Sequence, residues 1–137
     1  MKKYIQALLM LIIIMFAINM LAVNDASALP KNEVDIVIKK IDGKWKVFDA
    51  TDSTITHVKA KKGQKITWTA EGTDVYFQFM DEKLVGKFKH ALKDGKKISL
   101  NIGPNAKVGE NSYAVFCTAD MEFAEGNSPP IIIVENN

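Results

Sequence analysis

The stretch YAVFCTADMEFAEGNSPP, residues 113–130, decides how the rest of the chain is interpreted. Its first residues, Tyr113 to Phe116, are aromatic or aliphatic and lead to Cys117, the one cysteine of the chain. An acidic loop follows and ends in Pro129 and Pro130, whose fixed φ stiffens the approach to the aliphatic run 131–134. The stretch therefore predicts a strand, a loop and a rigid turn into a final strand.

Short runs rich in β-branched and aromatic residues recur at intervals of roughly ten residues, separated by Gly, Pro, Asn and Asp. Several runs alternate: Ile66, Trp68 and Ala70 share one face, and residues 75, 77 and 79 share another. This pattern predicts an all-β sandwich of about eight short strands. We expect strands near 34–39, 44–48, 55–59, 65–70, 75–80, 97–102, 112–117 and 130–135.

The stretch 81–92 differs from the others. Leu84, Phe88 and Leu92 recur at spacings of four on an otherwise lysine-rich surface. We expect a short helical or irregular connection that covers one end of the sandwich.

The first 28 residues do not belong to this domain. Lys2 and Lys3 precede an apolar run, 5–23, and the small-x-small sequence Ala26-Ser27-Ala28 follows it. We predict a signal peptide, 1–28, cleaved before Leu29, and a single domain over 29–137 that is exported to the periplasm or the extracellular space. The alternative is an uncleaved membrane anchor, since the run nearly reaches the ~20 residues that span a bilayer.

The charge is nearly balanced, with a formal net charge of +2 and no arginine. Nucleic-acid binding would require a strongly one-signed field, so we expect no such partner, and a membrane partner only if the leader is retained. A lone cysteine in an exported protein is a buried inert thiol, an intermolecular disulfide or a metal ligand.

The closing segment resembles the cupredoxin family, the small copper proteins that include plastocyanin and azurin. The similarity consists of the Tyr113-to-Cys117 strand, the ligand-type loop and the last aliphatic strand, together with the upstream sequence 58–68, whose Gly63 turn precedes Trp68. The resemblance implies a Greek-key β-sandwich. It also implies a copper site made of the cysteine, two histidines and a methionine.

Only Cys117 matches that ligand set. Residues 70–77, where the family has its first histidine, contain none; Asp120 stands at the second histidine position and Glu125 near the methionine position. A metal site would therefore consist of Cys117, Asp120 and Glu125. We expect no cofactor, and keep copper or another transition metal as the alternative.

The two histidines lie elsewhere in the sequence. His57 falls on a predicted strand and His90 in the lysine-rich connection, and we expect both to be on the surface or hydrogen-bonded rather than to bind a metal. Because no base lies near Cys117 in sequence, and phosphate loops and nucleophile elbows are absent from the sequence, we expect no enzyme activity.

Loops at the end of a sandwich often bind ligands. We therefore expect a binding or interaction module without blue copper, serving an unknown protein or small ligand. Its candidate binding residues lie in two loops: Glu71, Asp74, Met121, Phe123 and Asn127. The alternatives are a periplasmic metal-binding or electron-transfer protein that uses Cys117 with carboxylate or methionine ligands, and a thiol-dependent enzyme.

Overall fold

The computed structural model describes residues 33–126 and 128–137, so the predicted leader, 1–28, and Asn127 lie outside the described residues. Ten strands follow one another: β1 Glu33–Ile41, β2 Lys44–Asp49, β3 His57–Lys61, β4 Lys65–Glu71, β5 Val75–Phe79, β6 Lys89–Leu92, β7 Lys97–Asn101, β8 Gly109–Cys117, β9 Glu122–Phe123 and β10 Ile131–Glu135. One 3-10 turn, Glu82–Leu84, lies between β5 and β6.

The strands form two sheets. Sheet I has the order β2-β1-β4-β7, and sheet II has the order β3-β10-β8-β5-β6, with β9 beside β8. Two neighbouring pairs are parallel, β1 with β4 and β3 with β10. The all-β sandwich predicted from the sequence is confirmed. Within the described part of the chain, no helix is long and apolar enough to cross a membrane.

The alternating strands bury the predicted faces. Ile66, Trp68 and Ala70 of β4 are fully buried, and so are residues 75, 77 and 79 of β5. The rings of Phe77, Phe79 and Tyr113 pack around Trp68, with centroids 5.7 to 6.2 Å from it. This aromatic cluster joins the two sheets because Trp68 belongs to sheet I and the other three rings belong to sheet II.

The connection 81–92 departs from the expected apolar stripe. Leu84 and Leu92 are buried, but Phe88 is 49% exposed. Residues 89–92 pair with β5 as an edge strand, with His90 opposite Phe77. The expected short helical connection is therefore limited to the 3-10 turn Glu82–Leu84, because cross-strand hydrogen bonding to β5 fixes residues 89–92 as a strand.

The third strand begins two residues later than expected. Ile55 lies in the preceding loop and is exposed, while β3 starts at His57. The parallel pairing of Ile131 with His57 sets this limit, because β10 offers no earlier partner.

Candidate functional site

Four connections meet at one end of the sandwich, which we call the loop end: the turn 42–43, the loop 72–74, the turn 93–96 and the loop 118–121. Strand register places them together, because Cys117 pairs with Val75 and Lys39 pairs with Glu71. In the hairpin turn, Asp42 and Gly43 both have positive φ, the conformation that lets two adjacent strands reverse tightly.

The two predicted binding loops contact each other directly. The Thr118 backbone N–H donates to the Asp74 carbonyl at 3.0 Å, and the Ala119 N–H donates to Thr73 Oγ1 at 3.1 Å. Thr73 is buried and lies in the region where the family resemblance implies a histidine. At this position Thr73 forms a hydrogen bond that joins the two loops.

Asp120 connects the loop 118–121 to sheet I. Its Oδ2 accepts hydrogen bonds from Lys40 Nζ at 2.6 Å and from the Trp45 indole at 2.7 Å. These two hydrogen bonds hold the pKa of the Asp120 carboxyl below its usual range. Lys40 also lies 5.7 Å from the centre of the Trp45 ring, at cation–π distance.

Glu125 has a similar connecting role further along the chain. Its Oε1 accepts a hydrogen bond from the Val47 backbone N–H at 2.8 Å, and its own N–H donates to the Trp45 carbonyl at 2.9 Å. The carboxylate therefore extends the edge of β2. Glu125 also begins the predicted rigid turn, since the Ser128 N–H donates to its carbonyl at 3.2 Å.

Glu71 and Asp74 are also engaged. Glu71 pairs with Lys39 at 2.9 Å, and Asp74 accepts from Lys93 at 2.7 Å and from the Asp94 backbone N–H at 2.9 Å. The hydrogen bond from Lys93, followed by that from Asp94, lowers the pKa of Asp74. The acids that the sequence suggested for binding thus hold the loop end together.

Cys117 ends β8 on the core side, with 0% of its surface exposed. Burial, and then the negative charges of Asp120 and Glu122, raise the pKa of its thiol to about 11. A thiol in this environment is protonated near neutral pH, so it is a poor nucleophile. Among the described residues, no group of three or more His, Cys, Asp or Glu is arranged to hold a metal ion.

The two histidines lie on other strands. His57 is exposed on β3, level with Ser112, which is five residues and roughly 17 Å before Cys117 along the sheet. His90 differs from the expectation, because its Nε2 is buried and has no hydrogen-bond partner in the described part of the chain. Burial, and then the charge of Lys87, lower the pKa of His90.

Met121 and Phe123 are the predicted binding residues that face solvent, with 70% and 56% of their surfaces exposed. Phe123 pairs across β9 and β8 with Phe116, and their ring centroids lie 5.2 Å apart. Phe116 in turn pairs with Tyr76 of β5, which is 53% exposed. Tyr76, Phe116 and Phe123 form a continuous row across three strands, which we call the aromatic row.

Sequence reasoning missed three members of this end: Trp45, Tyr76 and Phe116. Tyr76 and Phe116 could have been predicted from the sequence. They are large apolar residues at the outward positions of strands whose opposite face packs in the hydrophobic core. Trp45 borders two open cavities. One, of about 410 Å³, is also lined by Phe123 and Lys44, and the other, of about 530 Å³, is also lined by Glu71 and Asp120.

Comparison with known proteins finds amicyanin structures. A reduced amicyanin mutant superposes with a TM-score of 0.46 at 17% sequence identity, over 80% of this chain and 89% of that chain. A Cu(I) form of another amicyanin mutant gives a TM-score of 0.47 at 18% identity over the same shares. No protein-family model and no curated protein matches the sequence.

Proposed function

We propose that the chain is an exported binding module that works without a blue-copper centre, and that its binding surface is the aromatic row with the adjoining Met121. The observation that carries the proposal is the outward exposure of Tyr76 and Phe123 on a domain whose core is already filled by other aromatic rings. Contiguous exposed apolar surface of this kind is typical of interaction sites. Aromatic residues and Met are also enriched at protein interfaces.

The rigidity of the loop end supports the same function. The hydrogen bonds of Asp120 and Glu125 fix the segment that presents Met121 and Phe123. A surface held in its binding conformation loses little conformational entropy when a partner docks.

A blue-copper ion does not fit the residues at this end. A blue-copper site requires a thiolate with two imidazoles. His57 lies level with Ser112, five residues before Cys117, and His90 packs against Phe79, whose partner in β8 is Tyr113. The metal-carrier alternative is disfavoured as well, because Lys40 and Trp45 already occupy Asp120 Oδ2 and hold the carboxylate against sheet I.

Metal titration separates these two functions. Purified protein is incubated with Cu²⁺ or Zn²⁺, desalted, and measured by absorption spectroscopy and elemental analysis. We expect no stoichiometric metal, and no difference between the wild type and Cys117→Ser. Tight metal that is lost in Cys117→Ser would favour the metal-binding function instead.

The binding surface is tested by crosslinking. A photoreactive phenylalanine derivative replaces Tyr76 or Phe123 in cells that export the chain, and the matched control carries it at Ile55, an exposed apolar residue in the β2–β3 loop. We expect the same adduct from positions 76 and 123 and none from position 55. Adducts at all three positions, or no adduct to either protein or lipid at positions 76 and 123, would contradict the proposed surface.

A further inference from the structure

The aromatic row is one part of a larger apolar face. Successive side chains on each strand of sheet II point to opposite faces, so the neighbours of the buried residues along each strand point outward. On β10 the outward residues Ile131 and Ile133 are only partly buried, and Ile131 pairs with Ser112 of β8. The outward apolar residues of sheet II are Tyr76, Ala91, Ala114, Phe116, Phe123, Ile131 and Ile133.

Lysines line both edges of this face. Lys59 and Lys61 are exposed on the edge strand β3, and Lys89 is exposed on the opposite edge strand β6. The outward acids are Glu110 and Glu135, and Glu135 lies 3.6 Å from Lys59. Glu110 lies opposite Ile133 on the central strand, so the face combines a mostly apolar centre that contains this one acid with edges of excess positive charge.

The positive charge of these edges favours some binding partners of this face over others. A second copy of the chain, packed face to face, would bring lysine edges together, and like charges in contact oppose association. An anionic phospholipid surface instead offers negative headgroups above an apolar layer, and it is flat on the scale of a sheet. Long lysine side chains reach headgroups while aromatic and aliphatic side chains enter the interface.

We propose that the outer face of sheet II binds anionic phospholipid membranes, with the apolar centre in the interface and the lysine edges on the headgroups. This inference rests on the proposed function, because it names the partner of the same aromatic row. It differs from the expectation that a membrane is a partner only when the leader is retained, since the leader takes no part in it.

The test uses the predicted mature chain, which begins at Leu29, because the described residues form a compact unit with a hydrophobic core of their own. Cosedimentation is measured with vesicles of phosphatidylcholine alone and with vesicles that contain phosphatidylglycerol. We expect binding only with phosphatidylglycerol, weakened by added salt. The double variant Lys59→Gln/Lys89→Gln should bind roughly thirtyfold more weakly, because each lysine near such a surface contributes about 1 kcal/mol.

Matched variants control for nonspecific effects. Lys96→Gln/Lys97→Gln removes two exposed lysines near and on β7 of sheet I and should leave binding unchanged. Tyr76→Ser should weaken binding at least as much as the double lysine variant, whereas Ile55→Ser should have no effect. Thermal unfolding of each variant checks that the fold is retained.

A spectroscopic readout reports insertion directly. Phe123→Trp places an indole in the face, while Trp45 and Trp68 are both buried. Brominated phosphatidylglycerol vesicles should quench the new indole and leave the wild-type emission unchanged.

Equal binding to both vesicle types, or equal loss in the two lysine double variants, would overturn the inference. If the vesicles fail to bind while positions 76 and 123 still crosslink to one protein, the lipid inference is wrong, the partner is a protein, and the proposed function stands. If crosslinking also fails, both proposals are wrong.

Discussion

The indole N–H of Trp45 donates to Asp120 at 2.7 Å across 75 residues of sequence. Trp45 is almost fully buried at the start of β2, and Asp120 lies in the loop after Cys117. Lys40 shares the same carboxylate oxygen. One side chain thus joins the hairpin of sheet I to the loop that presents Met121 and Phe123.

Removal of this carboxylate should destabilise the loop end. Asp120→Ala leaves the Trp45 N–H without its acceptor, and an unpaired buried donor is costly. We expect the urea midpoint to fall more than in Glu122→Ala, an exposed acid two residues later. Asp120→Asn keeps an acceptor for the Trp45 N–H but loses the ion pair with Lys40. Its urea midpoint should therefore lie between those of Asp120→Ala and Glu122→Ala.

The same carboxylate makes a pH-dependent contribution. Because its pKa is lowered in the fold, its stabilisation is present above the unfolded pKa of about 4 and is lost as the pH falls through the folded value. The difference in urea midpoint between the wild type and Asp120→Asn should therefore be smaller at pH 3 than at pH 7. Equal midpoints for Asp120→Ala and Glu122→Ala at pH 7 would show that the connection contributes nothing.

The Cys117 thiol should be inert in the folded protein. With a pKa of about 11, roughly one thiol in a thousand is ionised at pH 8, and the side chain is buried. We expect an aromatic disulfide reagent to react slowly under native conditions and at the rate of a free thiol in 6 M guanidinium chloride. Rapid native reaction would support the thiol-enzyme alternative.

Substitution of the same residue tests its burial. Cys117→Ser places a hydroxyl in an apolar site and should cost about 1–3 kcal/mol of unfolding free energy. Cys117→Ala leaves only a small cavity and serves as the control; a serine variant as stable as the alanine variant would contradict the apolar environment.

His90 should make the fold sensitive to mild acid. Its folded pKa is lowered, so the folded state favours the neutral ring, and stability should be lost as the pH falls below the unfolded pKa of about 6.5. His90→Leu removes the unpartnered nitrogen and should flatten the dependence of the thermal midpoint between pH 7 and pH 5. A pH dependence in His90→Leu equal to that of the wild type would show that His90 is not the group responsible.

The buried hydrogen bond between the sheets should stabilise the sandwich. Trp68 Nε1 donates to the Tyr113 hydroxyl at 3.2 Å within the aromatic cluster. Tyr113→Phe leaves that N–H unpaired and should cost about 1–3 kcal/mol. In a Trp68→Phe background the same change should cost much less; an equal cost in both backgrounds would mean that the two side chains are not coupled.

Several features of the fold were predictable because they are local. The burial of Ile66, Trp68 and Ala70 follows from alternation along one strand, and the turn at Asp42-Gly43 follows from the backbone freedom of those residues. The aromatic strand that ends at Cys117 was likewise visible as a run of strand-forming residues.

The candidate site was only partly predictable. A loop at the end of the sandwich predicts that Met121 and Phe123 are exposed, and they are. The sequence suggested Asp120 and Glu125 only as possible metal ligands, not as residues that connect the two sheets. Both accept hydrogen bonds from residues more than seventy positions earlier, Trp45 and Val47. Partners at that separation become neighbours only through strand register, which no local pattern specifies.

The sequence by itself determined most of the strands and the buried side of those that alternate, because backbone preference and side-chain alternation act over a few residues. The tertiary structure alone decided that the acids near Cys117 hold the loops together, that residues 89–92 form an edge strand, and that Tyr76, Phe116 and Phe123 lie in one row. The physical reason is that each of these outcomes depends on which strands pair, and pairing is fixed by the packing of the whole sandwich.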